Sequence, residues 1–382
     1  MQIASLQEGC WESVVARISA VVDLEASARE FGAMQRVRKI KSAEGLLRLA
    51  LMDGPGGQSM ASAAALAGDA GVASLTDKAV EGRLRKMADW LAHILAQLLA
   101  EQRGAAGGGA GATVDLGLVD GSLICARGGD WRLHARYDPA RGRFGDLALT
   151  SAREAEQTAR IRIQGGQLIV NDRGYARVRN FQDVLAADSD FLTRIGWRSL
   201  RLLNEHGEVL DLMAKLPDGD TPVEHAVWLR GIERPLRLVL KRIPTEAAER
   251  QRRKRVRKSS KAGHKIDRRT EIAAGYLMLL TSLPQAVQPA DTVVSLYRSR
   301  WQVELEFKRL KSLGGIDRLP ASDPDIARTW LLTHLIAAVL TDELANEIVG
   351  FPPSAPHCET ALTVAGVENR QAGHTDRHSA KT

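Results

Sequence analysis

Val114-Asp115-Leu116-Gly117-Leu118-Val119-Asp120-Gly121-Ser122 is a short apolar run that closes on an acid and a glycine. It reads as a β-strand carrying a carboxylate, Asp120, near its end. Trp131–Tyr137 and Phe144–Thr150 are two further runs of this kind, set apart by Gly-rich or Asp-Pro turns. That is how an antiparallel meander is written. A polar helix over Ala152–Ile161, a strand at Gln167–Val170, a helix at Phe181–Ala187 and a strand at Asp190–Arg194 continue the series. The expected order is β-β-β-α-β-α-β, and Asp172 stands where the chain leaves the fourth strand.

Outward from this block the chain changes character on both sides. Before it, helices are expected over Val37–Met52, over Ser59–Ala67, and from a cap at Ser74-Leu75-Thr76-Asp77 through Val80, Leu84, Met87, Leu91, Leu95 and Leu98. These apolar residues recur at steps of three and four. Lys78, Arg83, Arg85 and Lys86 lie on or near the other faces, so a short Ala-rich helix, a glycine turn and a basic second helix resemble a helix-turn-helix reader of DNA. Gly104 to Ala112 contains only Gly and Ala and reads as a linker. After the block, hairpin-like strands are expected at Leu200–Leu203, Glu208–Ala214 and Arg237–Arg242, then an apolar run at Tyr276–Leu283. Helices return at about Asp291–Leu313 and Asp323–Ile348, and the tail after Gly350 is polar and patternless.

The chain has 382 residues and a formal charge of +7. Between Arg250 and Arg269 eleven Lys/Arg stand against one acid, Asp267, a net of +10, and the other 362 residues carry −3. The positive excess therefore belongs to one segment, either a solvated loop or a contact for a polyanion. Cys10, Cys125 and Cys358 form no C-x-x-C pair, and His374 and His378 have zinc-ligand spacing without accompanying cysteines. A disulfide framework and a structural zinc are not expected. The longest apolar stretch, Trp330–Leu340, is far short of the roughly 20 residues of a membrane helix, and no secretory signal is read near Met1. A cytoplasmic protein is expected.

Chemistry concentrates in Tyr297-Arg298-Ser299-Arg300-Trp301-Gln302-Val303-Glu304-Leu305-Glu306-Phe307-Lys308-Arg309-Leu310-Lys311. At about 100° per residue, one helix would align Tyr297, Arg300, Glu304 and Lys311 on a stripe about 60° wide, with Leu296, Val303, Phe307 and Leu310 on the neighbouring face. Glu306 falls off that stripe. On a ribonuclease H-like sheet the strands ending at Asp120 and Asp172 are neighbours, and a Glu from a packed helix would complete three carboxylates. Such a set suits Mg²⁺, and two ions roughly 3.5–4 Å apart serve in-line phosphoryl transfer.

Tyr297-x2-Arg300-x3-Glu304-x6-Lys311 resembles the Y-R-E-K signature of the DDE transposases of bacterial insertion sequences, the insertion sequence four family. Val119-Asp120-Gly121-Ser122 and Asn171-Asp172-Arg173-Gly174-Tyr175 are similar to the segments around that family's two aspartates. The resemblance runs from about Val37 to Val349. It implies an α/β fold: a ribonuclease H-like catalytic domain interrupted by a β-rich insertion, with a helical N-terminal DNA-binding domain. The corresponding boundaries are 1–103 for the helical domain, 104–112 for the linker, and 113–199 and 290–349 for the two parts of the core. The insertion is 200–289, with its basic segment at 250–269, and the tail is 350–382.

The resemblance further implies that Asp120, Asp172 and Glu304 bind two Mg²⁺ ions, for which Mn²⁺ can substitute. Tyr297, Arg300 and Lys311 would hold phosphates of the transposon end. In relatives a flipped base stacks on Trp, a role open here to Trp301, Trp197 or Trp228. Arg252, Arg253, Lys254 and Arg255 would contact DNA through the basic segment. The implied activity is cleavage at inverted repeats and strand transfer into target double-stranded DNA, by a homodimer on DNA in the cytoplasm, associated with the nucleoid. An inactive relative that represses transposition by binding the repeats, and a structure-specific ribonuclease H-type nuclease, are the alternatives.

Overall fold

The computed structural model describes residues 2–37, 39–104, 114–126, 128–261, 263, 266–317 and 319–349. Residues 105–112 of the expected linker and the tail with Cys358, His374 and His378 lie outside them. The first part is helical: α1 (Gln2–Ser19), α2 (Leu24–Glu30), α3 (Ala43–Asp53), α4 (Met60–Asp69), α5 (Asp77–Leu84) and α6 (Ala88–Gly104). Ser42, Ser59 and Thr76 cap α3, α4 and α5, their side-chain oxygens accepting the N–H groups of Gly45, Ser62 and Ala79. Each cap satisfies a donor that the first turn leaves without a helical partner. The single long helix expected after Thr76 is two helices. Lys86 and Met87 donate to Arg83 and Leu84, three residues back, while Arg85 reaches across to Asp323. This tight turn still buries Leu84, Met87 and Leu91.

The sheet follows, with β1 (Leu116–Ile124), β2 (Trp131–Asp138), β3 (Arg143–Ser151), β4 (Leu168–Asn171), α7 (Val178–Ala186) and β5 (Asp190–Arg194). The helix expected over Ala152–Ile161 is not formed; only a 3-10 turn, Thr158–Arg160, stands there. Its side chains are drawn to separate partners: Glu154 to Arg160, Glu156 to Arg132, and Thr158 to Asn180. Next come β6 (Leu202–Leu203), β7 (Val223–Leu229), β8 (Ile232–Arg242), α8 (Thr245–Lys261), α9 (Arg268–Ala273) and β9 (Tyr276–Thr281). In place of the strand expected at Glu208–Ala214, Val209 makes one bridge to Leu203 and Leu212–Lys215 is a 3-10 turn. The chain closes with α10 (Ala290–Arg298), α11 (Trp301–Ser312) and α12 (Pro324–Val349).

All nine strands form one sheet of order β3-β2-β1-β4-β5-β9-β8-β7-β6. The pairs β1–β4 and β4–β5 are parallel and the other ladders antiparallel. The β-rich insertion therefore continues the sheet through β9 instead of standing apart from it. Alternation along the strands divides the interior. Leu118, Val170 and Leu192 face a core shared with the N-terminal helices, α10, α11 and α12. Val119, Ile169 and Phe191 face a second core with α7, β7 and β8. Among the described residues no helix is long and apolar enough to cross a membrane.

Candidate active site

Parallel pairing of Val119 with Asn171 sets Asp120 beside Asp172, which directly follows β4; Asp120 itself is midway along β1, not near the strand end as expected, because pairing with β2 carries β1 on to Ile124. Both carboxylates are steadied by backbone. Asp120 Oδ1 accepts the Gly121 N–H at 2.8 Å and Asp172 Oδ1 accepts the Gly174 N–H at 2.6 Å. Helix α11 packs on the β1 face through Val303, Phe307 and Leu310 and carries Glu304 in its first turn. Arg300 joins two of these acids, donating from Nη1 to Asp120 Oδ2 at 3.1 Å and from Nη2 to Glu304 Oε1 at 2.5 Å. Glu306 is turned to a separate network with Arg309, which also holds Asp342.

The expected single helix over 291–313 is broken. Ser299, Arg300 and Gln302 donate to carbonyls three residues back, which tightens the turn between α10 and α11. The four signature residues therefore do not lie on one outward stripe. Tyr297 is buried at 9% exposure, its ring centroid 6.0 Å from the Arg300 guanidinium, and Trp301 is 50% exposed. Lys311 donates to the Leu123 carbonyl at 2.6 Å.

Burial pushes the Asp120 carboxyl up to about 6, with Asp172 and Glu304 adding to the rise and the Gly121 N–H and Arg300 opposing it. Burial alone would lower Arg300, but Tyr297, Glu304 and Asp120 around it raise it above the ordinary arginine range. The three acids thus share one electrostatic neighbourhood, with a guanidinium as its resident cation. Among the described residues no group of three His, Cys, Asp or Glu is arranged to hold a metal ion as it stands. Arg300 stands between Asp120 and Glu304.

Of the basic-segment residues, Arg252, Arg253 and Lys254 are exposed on α8, Arg252 donating to the Glu271 carbonyl and Arg253 paired with Glu249. Arg255 points elsewhere, into a cavity of about 300 Å³ lined also by Arg173, Arg194, Trp197 and Arg198. Burial, and repulsion from Arg173 and Arg194, push Arg255 down. Among the described residues none of Arg173, Arg194 and Arg255 makes an ion pair with a carboxylate. Trp197 is covered by Arg198 and Arg269, and Trp228 is half-buried on β7. Arg173, Arg194, Glu156 and Tyr175 were not singled out from sequence; the only signal was the position of Arg173 and Tyr175 beside Asp172.

Residues 116–340 match the family described as "Transposase DDE domain". The chain belongs to the DDE transposases. It is 37% identical over 363 residues to the transposase for insertion sequence element IS421 of Escherichia coli, covering 91% of this chain and 97% of that protein. The same identity and coverage, over 362 residues, relate it to the InsL protein of insertion sequence element IS186A of Escherichia coli strain K12. The transposase for IS231F of Bacillus thuringiensis subsp. israelensis is 23% identical over 248 residues, which are 58% of this chain and 52% of that one.

A DDE transposase acts on DNA with the help of divalent metal, and the residues present fit such an ion. The donors are carboxylate oxygens, which hard cations prefer. Arg300 already stands as a positive charge between two of them. The Tyr175 hydroxyl, fully buried beside Asp120, Asp172 and Glu156, has no hydrogen-bond partner among the described residues.

Proposed function

We propose that this chain cuts double-stranded DNA at the terminal inverted repeats of its own insertion element and joins the 3′-hydroxyls to target DNA. Asp120, Asp172 and Glu304 are the metal-binding carboxylates, and Mg²⁺ is the ion, replaceable by Mn²⁺. The observation that carries this reading is that Asp120 on β1 feels both Asp172 at the end of β4 and Glu304 on α11, with Arg300 pairing Asp120 and Glu304. The order β3-β2-β1-β4-β5, with β1, β4 and β5 parallel, supports a ribonuclease H-like core.

Divalent ions at the carboxylates would supply an activated attacking oxygen and a stabilised leaving oxygen. In cleavage, a water oxygen bonds to phosphorus as the P–O3′ bond breaks, leaving a 5′-phosphate and a 3′-hydroxyl. In strand transfer, that 3′-oxygen bonds to a target phosphorus as the target's own P–O3′ bond breaks. Asp120 and Asp172, fixed by the Gly121 and Gly174 amides, need little reorganisation. Arg300 releases its two carboxylates and turns its planar fork to phosphate oxygens, with buried Tyr297 supporting it. Lys311 exchanges the Leu123 carbonyl for a phosphate.

Positively charged side chains lead the substrate toward this centre. Exposed Arg252, Arg253 and Lys254 lie along α8, and Arg255, Arg194 and Arg173 continue inward to the strand end that carries Asp172. Trp301 is the exposed candidate for stacking a flipped base, whereas Trp197 already lies beneath two guanidinium groups. Helices α4 and α5 provide a helix-turn-helix-like contact in which Lys78 and Arg85 pair with Glu81, while Arg83 and Lys86 make no ion pair among the described residues. Two ends are brought together by a homodimer on DNA, within the nucleoid of the cytoplasm.

The test is a nicking assay on duplexes carrying the element's own ends. The expected result is Mg²⁺-dependent cleavage at the repeat boundary, abolished by chelator and lost on scrambled repeats. Equal cutting of scrambled DNA would point to a general nuclease, and tight end binding without cleavage to an inactive repressor.

A further inference from the structure

We infer that Glu156 is a positioning residue for this site, a fourth carboxylate that braces strand β1 at Gly121 and the turn at Gly174 from the far face of the sheet and strengthens cation binding. The inference rests on the proposed metal-binding role of Asp120, Asp172 and Glu304. Asp120 and Gly121 point to opposite faces of β1 by strand alternation. Glu304 approaches from the Asp120 face, and Glu156 lies under Gly121. A β-carbon at Gly121 would stand 3.4 Å from Glu156 Cγ and Oε1, and one at Gly174 would overlap Glu156 Oε2. Gly121 comes one residue after Asp120 and Gly174 two residues after Asp172, so one side chain fills the space beside both aspartate segments.

Glu156 is itself held. Its carboxylate pairs with Arg132 on β2, which also donates to the Ala152 carbonyl at 3.4 Å, and Asn180 Nδ2 donates to the Glu156 carbonyl at 3.4 Å. The buried Tyr175 hydroxyl, without a hydrogen-bond partner among the described residues, would be 3.6 Å from a β-carbon at Gly121 and so lies beside the same brace. A β-carbon at Gly174 would also stand 3.0 Å from Asp172 Oδ1, so the Glu156 carboxylate lies beside the metal-facing acid. Like charges here oppose one another until a cation arrives, and then each adds to its attraction. Groups that act on a metal through its ligands typically change affinity by about 10–100-fold when mutated.

Glu156→Gln separates the two contributions, since the amide keeps the shape under Gly121 and Gly174 while removing the charge. Mn²⁺ binding to the DNA-free protein, followed by electron paramagnetic resonance, should weaken about tenfold. In nicking assays the Mg²⁺ concentration for half-maximal rate should rise by the same factor, with the rate at saturating Mg²⁺ restored. Parent-like Mn²⁺ affinity in a folded Glu156→Gln protein would overturn the inference. If circular dichroism shows that this variant does not fold, Tyr175→Phe decides: about threefold weaker Mn²⁺ binding is expected, and unchanged binding overturns it. Failure of the parent to bind Mn²⁺ would instead count against the carboxylate assignment itself.

Discussion

The Arg300 guanidinium holds two acids at once. The spacing Tyr297-x2-Arg300-x3-Glu304-x6-Lys311 drew attention to these side chains, but a wheel assumes one unbroken helix and cannot show what a guanidinium chooses as its partner. In the DNA-free protein that choice is Asp120 and Glu304, which a cation would also use. Metal and DNA are then linked through one side chain, since a phosphate that takes Arg300 frees both carboxylates, and linkage of this kind is reciprocal. Arg300→Gln should therefore bind Mn²⁺ several-fold more tightly than the parent without DNA, and its end binding should fall. Calorimetric titration checks both, and weaker Mn²⁺ binding in the variant would remove the competition. Glu156 escaped the sequence because nothing in a loop acid's neighbours along the chain reports that two glycines, 35 and 18 residues away, close over it.

At the scale of elements, local signals were read well and tertiary ones poorly. β1, β2, β3, β4 and β5 stand where their apolar runs were seen, because each run is bounded by turn residues and half-buried strands write a short-period pattern. The breaks at Arg85–Met87 and Ser299–Arg300 carry no Gly or Pro and follow from long-range partners, Asp323 for Arg85 and Asp120 for Arg300. Strand β7 was missed because Glu224-His225 interrupts its apolar residues, and its place is set by pairing with β8. The end of α3 gives a pH test. Burial pushes Asp53 up to about 6 at a helix terminus that disfavours negative charge. Between pH about 4 and 6 the unfolded chain loses this proton first, so stability falls as pH rises and the full cost is present above 6. Asp53→Asn should stabilise the protein by about 1–2 kcal/mol near neutral pH, with the gain fading toward pH about 4 in denaturant melts. A gain independent of pH would mean that charge is not the cause.

Across the whole molecule, the charge segregation seen in the sequence acquires a direction. The +10 of residues 250–269 lies largely on α8, beside the strand end that bears Asp172, while the remaining 362 residues carry −3. Neutralising Arg252, Arg253 and Lys254 to Gln should leave the fold intact, weaken end binding, and flatten the slope of log affinity against log salt by up to about three. An unchanged slope would make α8 a solvated helix. The N-terminal helices share a core with α12 and one sheet face, so DNA bound at α4 and α5, as proposed, would be fixed relative to the carboxylates. The most direct measurement of the three acids' joint role is metal-dependent nicking of an end-bearing duplex by Glu304→Gln, with end binding measured alongside. The expected result is a loss of at least about a thousandfold in nicking with binding retained. Nicking at the parent's rate would contradict the assignment.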